Sequence, residues 1–282
     1  MRQKNSFVEV RTLIKSNKKM PRSIVKKIQH VRYLMSDRSS LRGARCWPKP
    51  WGYDRIYHFH IRKTAGSSLN AAFRSLSSDL SEYEYDFLNR NGWVAHDNYV
   101  YVSHNRFLIE RGYYFAGDSH IPMHEIDVPA NSFTVTILRD PAERVISHYR
   151  MLQHWRNKDV RHPARAVEDS FLGDKFSDFL KRIPREHLLR QIYMFSKNFS
   201  VDEALENLHK VNFLMLTENY PEHLSCLGMF LGMPLKIFSK GSGRGPVTLS
   251  SGDRELLNKA VAPEYRLIEL AGPLAGSYRE HR

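Results

Sequence analysis

Short apolar runs alternate along the chain with segments of helical periodicity. Two of the runs, 56–61 and 133–138, are rich in aromatic and β-branched residues, which is typical of strands buried on both faces of a sheet. A helical pattern follows each run directly, and the first of these patterns reaches about Leu80. Strands that alternate with helices predict an α/β fold in which helices cover both faces of a parallel sheet.

The rest of the chain continues this alternation. A further strand is predicted over 211–216, and the polar segment 153–174 lacks periodicity and is predicted to be a loop. The pattern contains no internal repeat and no low-complexity tract. Helices are predicted over 141–155, 176–183, 187–196, 201–209, 221–231 and 250–270.

The junction after the first strand carries groups suited to a phosphate. Lys63 supplies a positive charge, Gly66 permits close approach of the backbone, and Ser67 and Ser68 supply hydroxyl groups at the helix start. Unpaired N–H groups and the helix dipole favour an anion there. The residue order excludes a Walker A loop, because the lysine precedes the glycine. An ordinary strand-to-helix turn is the alternative.

The second junction also combines a helix start with cations. Asp140 is a good N-cap, Pro141 suits the first helical position, and Glu143 is placed to complete a capping box. Arg139 stands at the carboxyl end of its strand, where open α/β sheets bind ligands, and its planar guanidinium suits a phosphate. The alternative is that Arg139 pairs with Asp140 or Glu143.

Together these segments, FHIRKTAGSSL and ILRDPAERVISHY, resemble the nucleotide-binding signature of sulfotransferases that use 3′-phosphoadenosine 5′-phosphosulfate (PAPS). They are most similar to the carbohydrate branch, which includes Golgi heparan and chondroitin enzymes and bacterial relatives. Weaker resemblance at 115–122, 216–232 and 240–244 extends the similarity over about 53–270. The resemblance implies a three-layer fold like that of the P-loop NTPases, with a central parallel sheet flanked by helices.

The resemblance also implies roles for individual residues. The first motif would hold the 5′-phosphosulfate, the second the 3′-phosphate, and a late loop would close over the nucleotide. PAPS is therefore expected as co-substrate and 3′-phosphoadenosine 5′-phosphate (PAP) as product, with no metal. Ala65 stands where the family often has glycine, which a turn tolerates if φ is negative. The expected cofactor-binding residues are Lys63, Thr64, Ala65, Gly66, Ser67, Ser68, Arg139, Ser147, Gly241 and Ser242.

His120 and Lys63 are the expected catalytic residues. His120 lies in a stretch that resembles the family's Gly-His-x-Pro sequence, and a neutral imidazole suits a general base at pH 7. Lys63 would stabilise the departing oxygen. His104 is the alternative base, and a structural role for His120 is the other alternative. No metal site is expected at the alternating His58 and His60, for which a hydrogen-bonded core role is favoured.

The excess positive charge of the chain is concentrated near the N-terminus. Residues 1–45 contain 13 lysines and arginines against two acidic residues, so this segment carries most of the net charge of +13. Apolar residues between Ile24 and Met35 predict a basic amphipathic helix. It packs on the catalytic domain in the favoured interpretation and attracts an anionic membrane surface or acidic polymer in the other. The expected domains are the arm, 1–50, and a single catalytic domain, 51–282.

Cysteine content and hydropathy restrict the cellular compartments in which the protein is expected. Two cysteines provide neither a disulfide framework nor a metal cluster. The sequence contains no apolar run long enough to span a membrane and no signal-peptide pattern. We therefore expect a cytoplasmic bacterial enzyme, with peripheral attachment to a membrane as an open alternative.

The favoured function is transfer of a sulfuryl group from PAPS to a hydroxyl of a carbohydrate or glycan. The first alternative is a Mg²⁺-dependent phosphotransferase on a related fold. It is disfavoured because no predicted strand ends in a clear Walker B aspartate. The second is binding of an anionic polymer through the basic arm, with nucleic acid a disfavoured partner. Fold does not specify the acceptor. Candidates to line its pocket are Tyr149, Arg150, His154 and Trp155.

Overall fold

Five parallel strands and one antiparallel edge strand form the sheet of the described part of the chain. The computed structural model describes residues 49–78, 80, 82–160, 162, 164–238 and 247–280. Strand order is β2-β3-β4-β1-β5-β6, and of the paired strands only β2 and β3 are antiparallel. The strands are β1 (Arg55–Phe59), β2 (Trp93–His96), β3 (Tyr99–Ser103), β4 (Ala116–Ser119), β5 (Ser132–Leu138) and β6 (Phe213–Leu216).

Helices connect these strands and add a second layer over residues 141–195. The first three are α1 (Gly66–Arg74), α2 (Glu82–Asn91) and α3 (Arg106–Arg111). The next five are α4 (Pro141–Asn157), α5 (Arg165–Glu168), α6 (Phe176–Arg182), α7 (Arg185–Leu188) and α8 (Arg190–Phe195). The last four are α9 (Val201–His209), α10 (Tyr220–Leu231), α11 (Ser251–Ala260) and α12 (Ala262–Ala271).

The central strand β1 is buried on both faces, as its sequence predicts. It lies between β4 and β5, with Tyr57 opposite Gly117 on one side and Thr134 on the other. Alternate side chains point to opposite faces. Ile56 packs with apolar residues of α1 and α10, whereas the Phe59 ring meets the Phe195 ring of α8 at 5.9 Å between centroids. The α/β prediction, with a parallel sheet between layers of helices, is confirmed.

Several element boundaries differ from those predicted. α1 ends at Arg74 rather than near residue 80. Just after Arg74, the hydroxyls of Ser75 and Ser77 donate to backbone carbonyls and compete with continuation of the helix. The helix predicted over 187–196 is broken at Leu189, and the one over 250–270 is broken at Val261. The segment 153–174 is not a continuous loop, because α4 extends into it and α5 lies within it.

Gly241 and Ser242, of the predicted nucleotide-covering loop, lie outside the described residues, as do residues 1–48 of the basic arm. The predictions for both, and the proposed domain boundary, therefore stay predictions. In the part of the chain that the structure describes, no helix has the length and apolar character needed to cross a membrane.

Candidate active site

The first motif forms a tight turn between β1 and α1. Lys63 and Ala65 have φ of 70° and 66°, a left-handed conformation that costs a residue with a Cβ about 1–2 kcal/mol. Because φ of Ala65 is positive, the expected condition for a tolerated alanine is not met and this residue is strained. Thr64 is fully buried, and its hydroxyl donates to the carbonyl of Ile61 at 2.9 Å. The Thr64 side chain thus stabilises the turn and its hydroxyl is already engaged there.

Gly66 begins α1 against two histidine rings. A Cβ at Gly66 would lie 2.1 Å from Cδ2 of His60 and 2.8 Å from Cε1 of His58, so a larger residue does not fit without a shift of these rings. Ser67 is exposed and Ser68 is buried. The N–H of Ser68 already donates to the carbonyl of Ala65 at 2.9 Å, so Gly66 and Ser67 are the residues whose N–H groups this end of α1 can offer to an anion.

The second motif confirms one half of the predicted capping box and contradicts the other. Asp140 Oδ1 accepts from the N–H of Glu143 at 2.8 Å, as an N-cap does. The N–H of Asp140 donates instead to Glu218 Oε1 at 2.8 Å. The Glu143 carboxylate lies 3.9 Å from Arg139 Nη2, a loose ion pair at a partly exposed position.

A buried polar network supports Arg139 from behind. Gln191 accepts from the N–H of Arg139 at 2.8 Å and donates to its carbonyl at 3.0 Å. Glu264 accepts from the backbone N–H and the side chain of Gln191 at 2.6 and 3.0 Å, and lies 3.5 Å from Arg144 Nε. Arg144, Gln191 and Glu264 are each at most 1% exposed. Burial lowers the pKa of Arg144, and the Glu264 carboxylate opposes this shift.

Side-chain hydrogen bonds join the two motifs at the carboxyl edge of the sheet. Arg139 Nη1 donates to the carbonyl of Lys63 at 3.2 Å. The hydroxyl of Thr217, just after β6, approaches the carbonyls of Thr64 and Leu138 at 3.2 and 3.1 Å. Ser147 is buried two turns into α4. The structure therefore places Lys63, Arg139 and the start of α1 side by side.

His120 lies in a cluster of histidine rings beside this turn. Its Nδ1 donates to the carbonyl of His60 at 2.5 Å, which requires the hydrogen on Nδ1 and leaves Nε2 as an acceptor in the neutral ring. The His120 ring lies 4.4 Å from that of His60 and 4.6 Å from that of His104, the alternative base. Burial, then the neighbouring His60 and His104, holds the pKa of His120 well below 6.5.

Asp118 supplies a buried carboxylate that the sequence analysis missed. It accepts from Ser103 Oγ at 3.1 Å and lies 3.4 Å from Arg74 Nη2 and 3.5 Å from His60 Nδ1. Burial raises the pKa of Asp118, but the facing His60 ring and Arg74 outweigh this and hold it below its usual range. The only signal in the sequence is its place two residues before His120. A negative charge therefore lies behind the histidines.

His58 has the hydrogen-bonded core role that the sequence predicts. Its Nδ1 lies 2.8 Å from Asn70 Oδ1, and the side chain is 1% exposed. Burial, followed by the charge of His60, lowers the pKa of His58 to about 3. The ring is thus neutral and supports the close packing at Gly66.

Two of the four candidate acceptor-lining residues are core residues. Tyr149 packs against Phe176 and Phe179 with centroid distances of 5.0 and 5.1 Å, and Trp155 stacks on His162 at 4.2 Å. The prediction that Tyr149 and Trp155 line the acceptor pocket is wrong, because both side chains are buried where one face of α4 packs on α6 and its neighbours. Arg150 and His154 are partly exposed.

Comparisons with known proteins add one structural similarity. No family model and no curated protein matches the chain. Four solved chains match, and one of them is a sulfotransferase from Alicyclobacillus acidocaldarius. It is 13% identical with a TM-score of 0.42, over 77% of this chain and 96% of that chain. At these values the similarity does not bear on the chemistry of the site.

Proposed function

We propose that the protein is a sulfotransferase that moves the sulfuryl group of PAPS to a hydroxyl of a carbohydrate or glycan. The observation that carries this proposal is the junction of the two motifs. Arg139 reaches the Lys63 carbonyl at 3.2 Å, so the residues proposed for the two phosphate groups of one nucleotide lie together. The two motifs follow the carboxyl ends of β1 and β5, which are parallel neighbours in the sheet. Open α/β sheets bind ligands at this edge.

In the proposed reaction the acceptor oxygen attacks sulfur in line with the S–O bond to the 5′-phosphate. The acceptor proton passes to Nε2 of His120 as the new O–S bond forms and the old one breaks. PAP leaves with its additional negative charge on the 5′-phosphate oxygen. In this proposal Lys63 and the N–H groups of Gly66 and Ser67 stabilise that charge, while Arg139 and Ser147 hold the 3′-phosphate.

The geometry of His120 supports its role as base. Donation from Nδ1 to a carbonyl leaves Nε2 as the acceptor nitrogen of the neutral ring, available to take the acceptor proton. The lowered pKa of His120 keeps the ring neutral at pH 7 and also makes it a weaker base. His104 is close enough to share the site and remains the alternative base. Asp118 contacts His60 rather than His120, so we assign it a positioning role.

Calorimetry with PAP in metal-free buffer tests the donor. We expect PAP to bind without Mg²⁺ and Arg139→Ala to weaken binding by about tenfold or more, since a charge-assisted hydrogen bond contributes roughly 1.5–3 kcal/mol. The exposed Arg266 of α12, which pairs with Glu269, offers a control, and Arg266→Ala should bind PAP normally. Absence of PAP binding by the full chain would overturn the proposal.

The Mg²⁺-dependent alternative is tested in the same experiment. Asp118 is a carboxylate at the end of β4, next to β1, but Ser103, Arg74 and His60 already surround it. A metal at this place would therefore have to displace existing partners. Preference for Mg-ATP over PAP, lost in Asp118→Asn, would move the protein to the phosphotransferase class.

Turnover identifies the base and the acceptor class. PAP release from PAPS, measured over a panel of glycans and small hydroxylated compounds, should fall by about 10²–10⁴-fold in His120→Gln. His104→Gln should have the smaller effect, and PAP affinity should persist in both variants. A larger loss in His104→Gln than in His120→Gln would exchange the two roles.

A further inference from the structure

Three helices bring two histidines and a carboxylate together outside the proposed reaction centre. His148 of α4, Glu168 of α5 and His187 of α7 each offer one ligand atom, and these atoms lie within 4.8 Å of one another. His148 and Glu168 are 2% and 3% exposed, and His187 is partly buried. Ligand atoms of a tetrahedral Zn²⁺ ion stand about 3.4 Å apart, as its bond lengths require. The ligand atoms of the three groups, within 4.8 Å of one another, are thus at most about 1.4 Å further apart than this spacing.

The two oxygens of Glu168 have different neighbours. Oε1 accepts from Nη1 of Arg62, in the turn that contains Lys63. Oε2 lies 3.0 Å from Nε2 of His148. Carboxylates that bind metals are commonly oriented by such an outer hydrogen bond, which leaves the other oxygen to the ion. Arg62 therefore orients the carboxylate without occupying the oxygen that faces His148.

The donor set also suits a cation. Imidazole nitrogens and carboxylate oxygens are ligand atoms that Zn²⁺ takes in proteins, and contacts with His148 and Arg62 hold the Glu168 carboxylate in place.

We propose that His148, Glu168 and His187 form a binding site for a divalent transition-metal ion, with Zn²⁺ the ion that a His₂Glu ligand set favours. The ion would replace the direct contact between His148 and Glu168 and take a water molecule as fourth ligand. It would join α5 to α4 and, through Arg62, to the first motif. The site is structural, takes no part in the sulfuryl transfer proposed above, and does not depend on that proposal.

Titration of the chelator-treated full chain with Co²⁺ and Zn²⁺ tests this site. We expect one Co²⁺ per chain, with the visible d–d absorption of a four- or five-coordinate ion, and its displacement by Zn²⁺. Glu168→Gln and His187→Gln should weaken binding beyond the about 10–100-fold that loss of an outer-shell partner costs. His162→Gln is the matched control, because His162 lies near α5 and stacks on Trp155. It should bind normally.

A rescue variant and a second readout separate ligation from folding. His187→Cys replaces the imidazole with a thiolate ligand and should restore Zn²⁺ binding. Amide hydrogen exchange over residues 164–171 should slow on addition of Zn²⁺ in the original chain but not in His187→Gln. Absence of stoichiometric binding by the original chain would overturn the proposal. Unchanged affinity in both folded ligand variants would overturn it equally.

Discussion

The turn after β1 holds Lys63 and Ala65 in left-handed backbone, whereas the turn after β5 enters its helix through an ordinary Asp140 N-cap. The first turn depends on its surroundings: Thr217 approaches one of its carbonyls and the His58 and His60 rings pack against Gly66. The second has local support at Asp140 and a buried network behind it. Of these two junctions, the first contains the left-handed residues, and the buried Arg144–Glu264 ion pair lies behind the second.

This difference shows two ways in which the chain could preorganise the proposed anion site. A strained turn aims backbone groups at a fixed point but needs packing to maintain it. A buried ion pair positions a helix and strand end but leaves a large penalty when one partner is lost. The changes below should therefore produce effects of different size and kind at the two junctions.

The largest effect is expected from Glu264→Ala. This change leaves Arg144 buried without its carboxylate and removes an acceptor of Gln191. The free energy of unfolding should fall by about 3–5 kcal/mol, the usual cost of breaking a buried pair. Urea unfolding followed by circular dichroism measures it. Glu269→Ala, at an exposed pair with Arg266, should change it by less than about 1 kcal/mol. Equal losses would remove the distinction between buried and exposed pairs.

Gly66→Ala should come next. The added methyl group would lie 2.1 Å from a His60 carbon atom, so the ring or the start of α1 must move. We expect a loss of about 3 kcal/mol in stability, typical of overpacking, together with weaker PAP binding. Gly252→Ala is the control, since a Cβ at Gly252 meets no atom within 4 Å. A well-folded Gly66→Ala variant with unchanged PAP affinity would contradict the role given to this close approach.

The buried His58 should make the free energy of unfolding depend on pH, an effect that belongs to the first junction. The pKa of His58 is about 3 in the folded chain and about 6.5 when unfolded. Its contribution is complete above pH 6.5 and decreases as the pH falls, because only the unfolded chain then gains a proton. The loss is about 2 kcal/mol at pH 5. Unfolding of His58→Asn between pH 7 and pH 5 should show a correspondingly smaller decrease, while exposed His209→Asn should retain the full decrease.

The smallest effect should have the opposite sign. Ala65→Gly relieves a left-handed alanine and should raise the free energy of unfolding by up to about 1 kcal/mol. Ala72→Gly, in the interior of α1, should lower it, because glycine weakens a helix and this methyl group is buried. Thermal unfolding of both variants decides the point. Destabilisation by Ala65→Gly would show that the turn is not strained at this residue.

The local sequence pattern was sufficient to predict a helix boundary where a capping residue and apolar periodicity within that helix mark it. Val201–His209 was predicted with its observed limits, because Ser200 caps it and its apolar residues recur at helical spacing. α4 also begins where Asp140 and Pro141 predict. The breaks at Leu189 and Val261 were missed, since apolar periodicity continues across them although both residues have non-helical backbone angles. Tyr149 and Trp155 were misassigned because α4 packs against a second helical layer.

Sequence alone determined the two strand-to-helix junctions and the hydrogen-bonded core role of His58, whereas the base role of His120 rests on the family resemblance and stays a prediction. Tertiary structure decided that Arg139 meets the Lys63 carbonyl, that Asp118 lies behind the histidines and that Glu264 stabilises Gln191. The physical reason is the separation along the chain between the interacting residues. Capping and periodicity act over a few residues along the chain, whereas Gln191 and Glu264 are brought together by packing across 73 positions. Pairing between buried polar groups leaves no local pattern from which it could have been predicted.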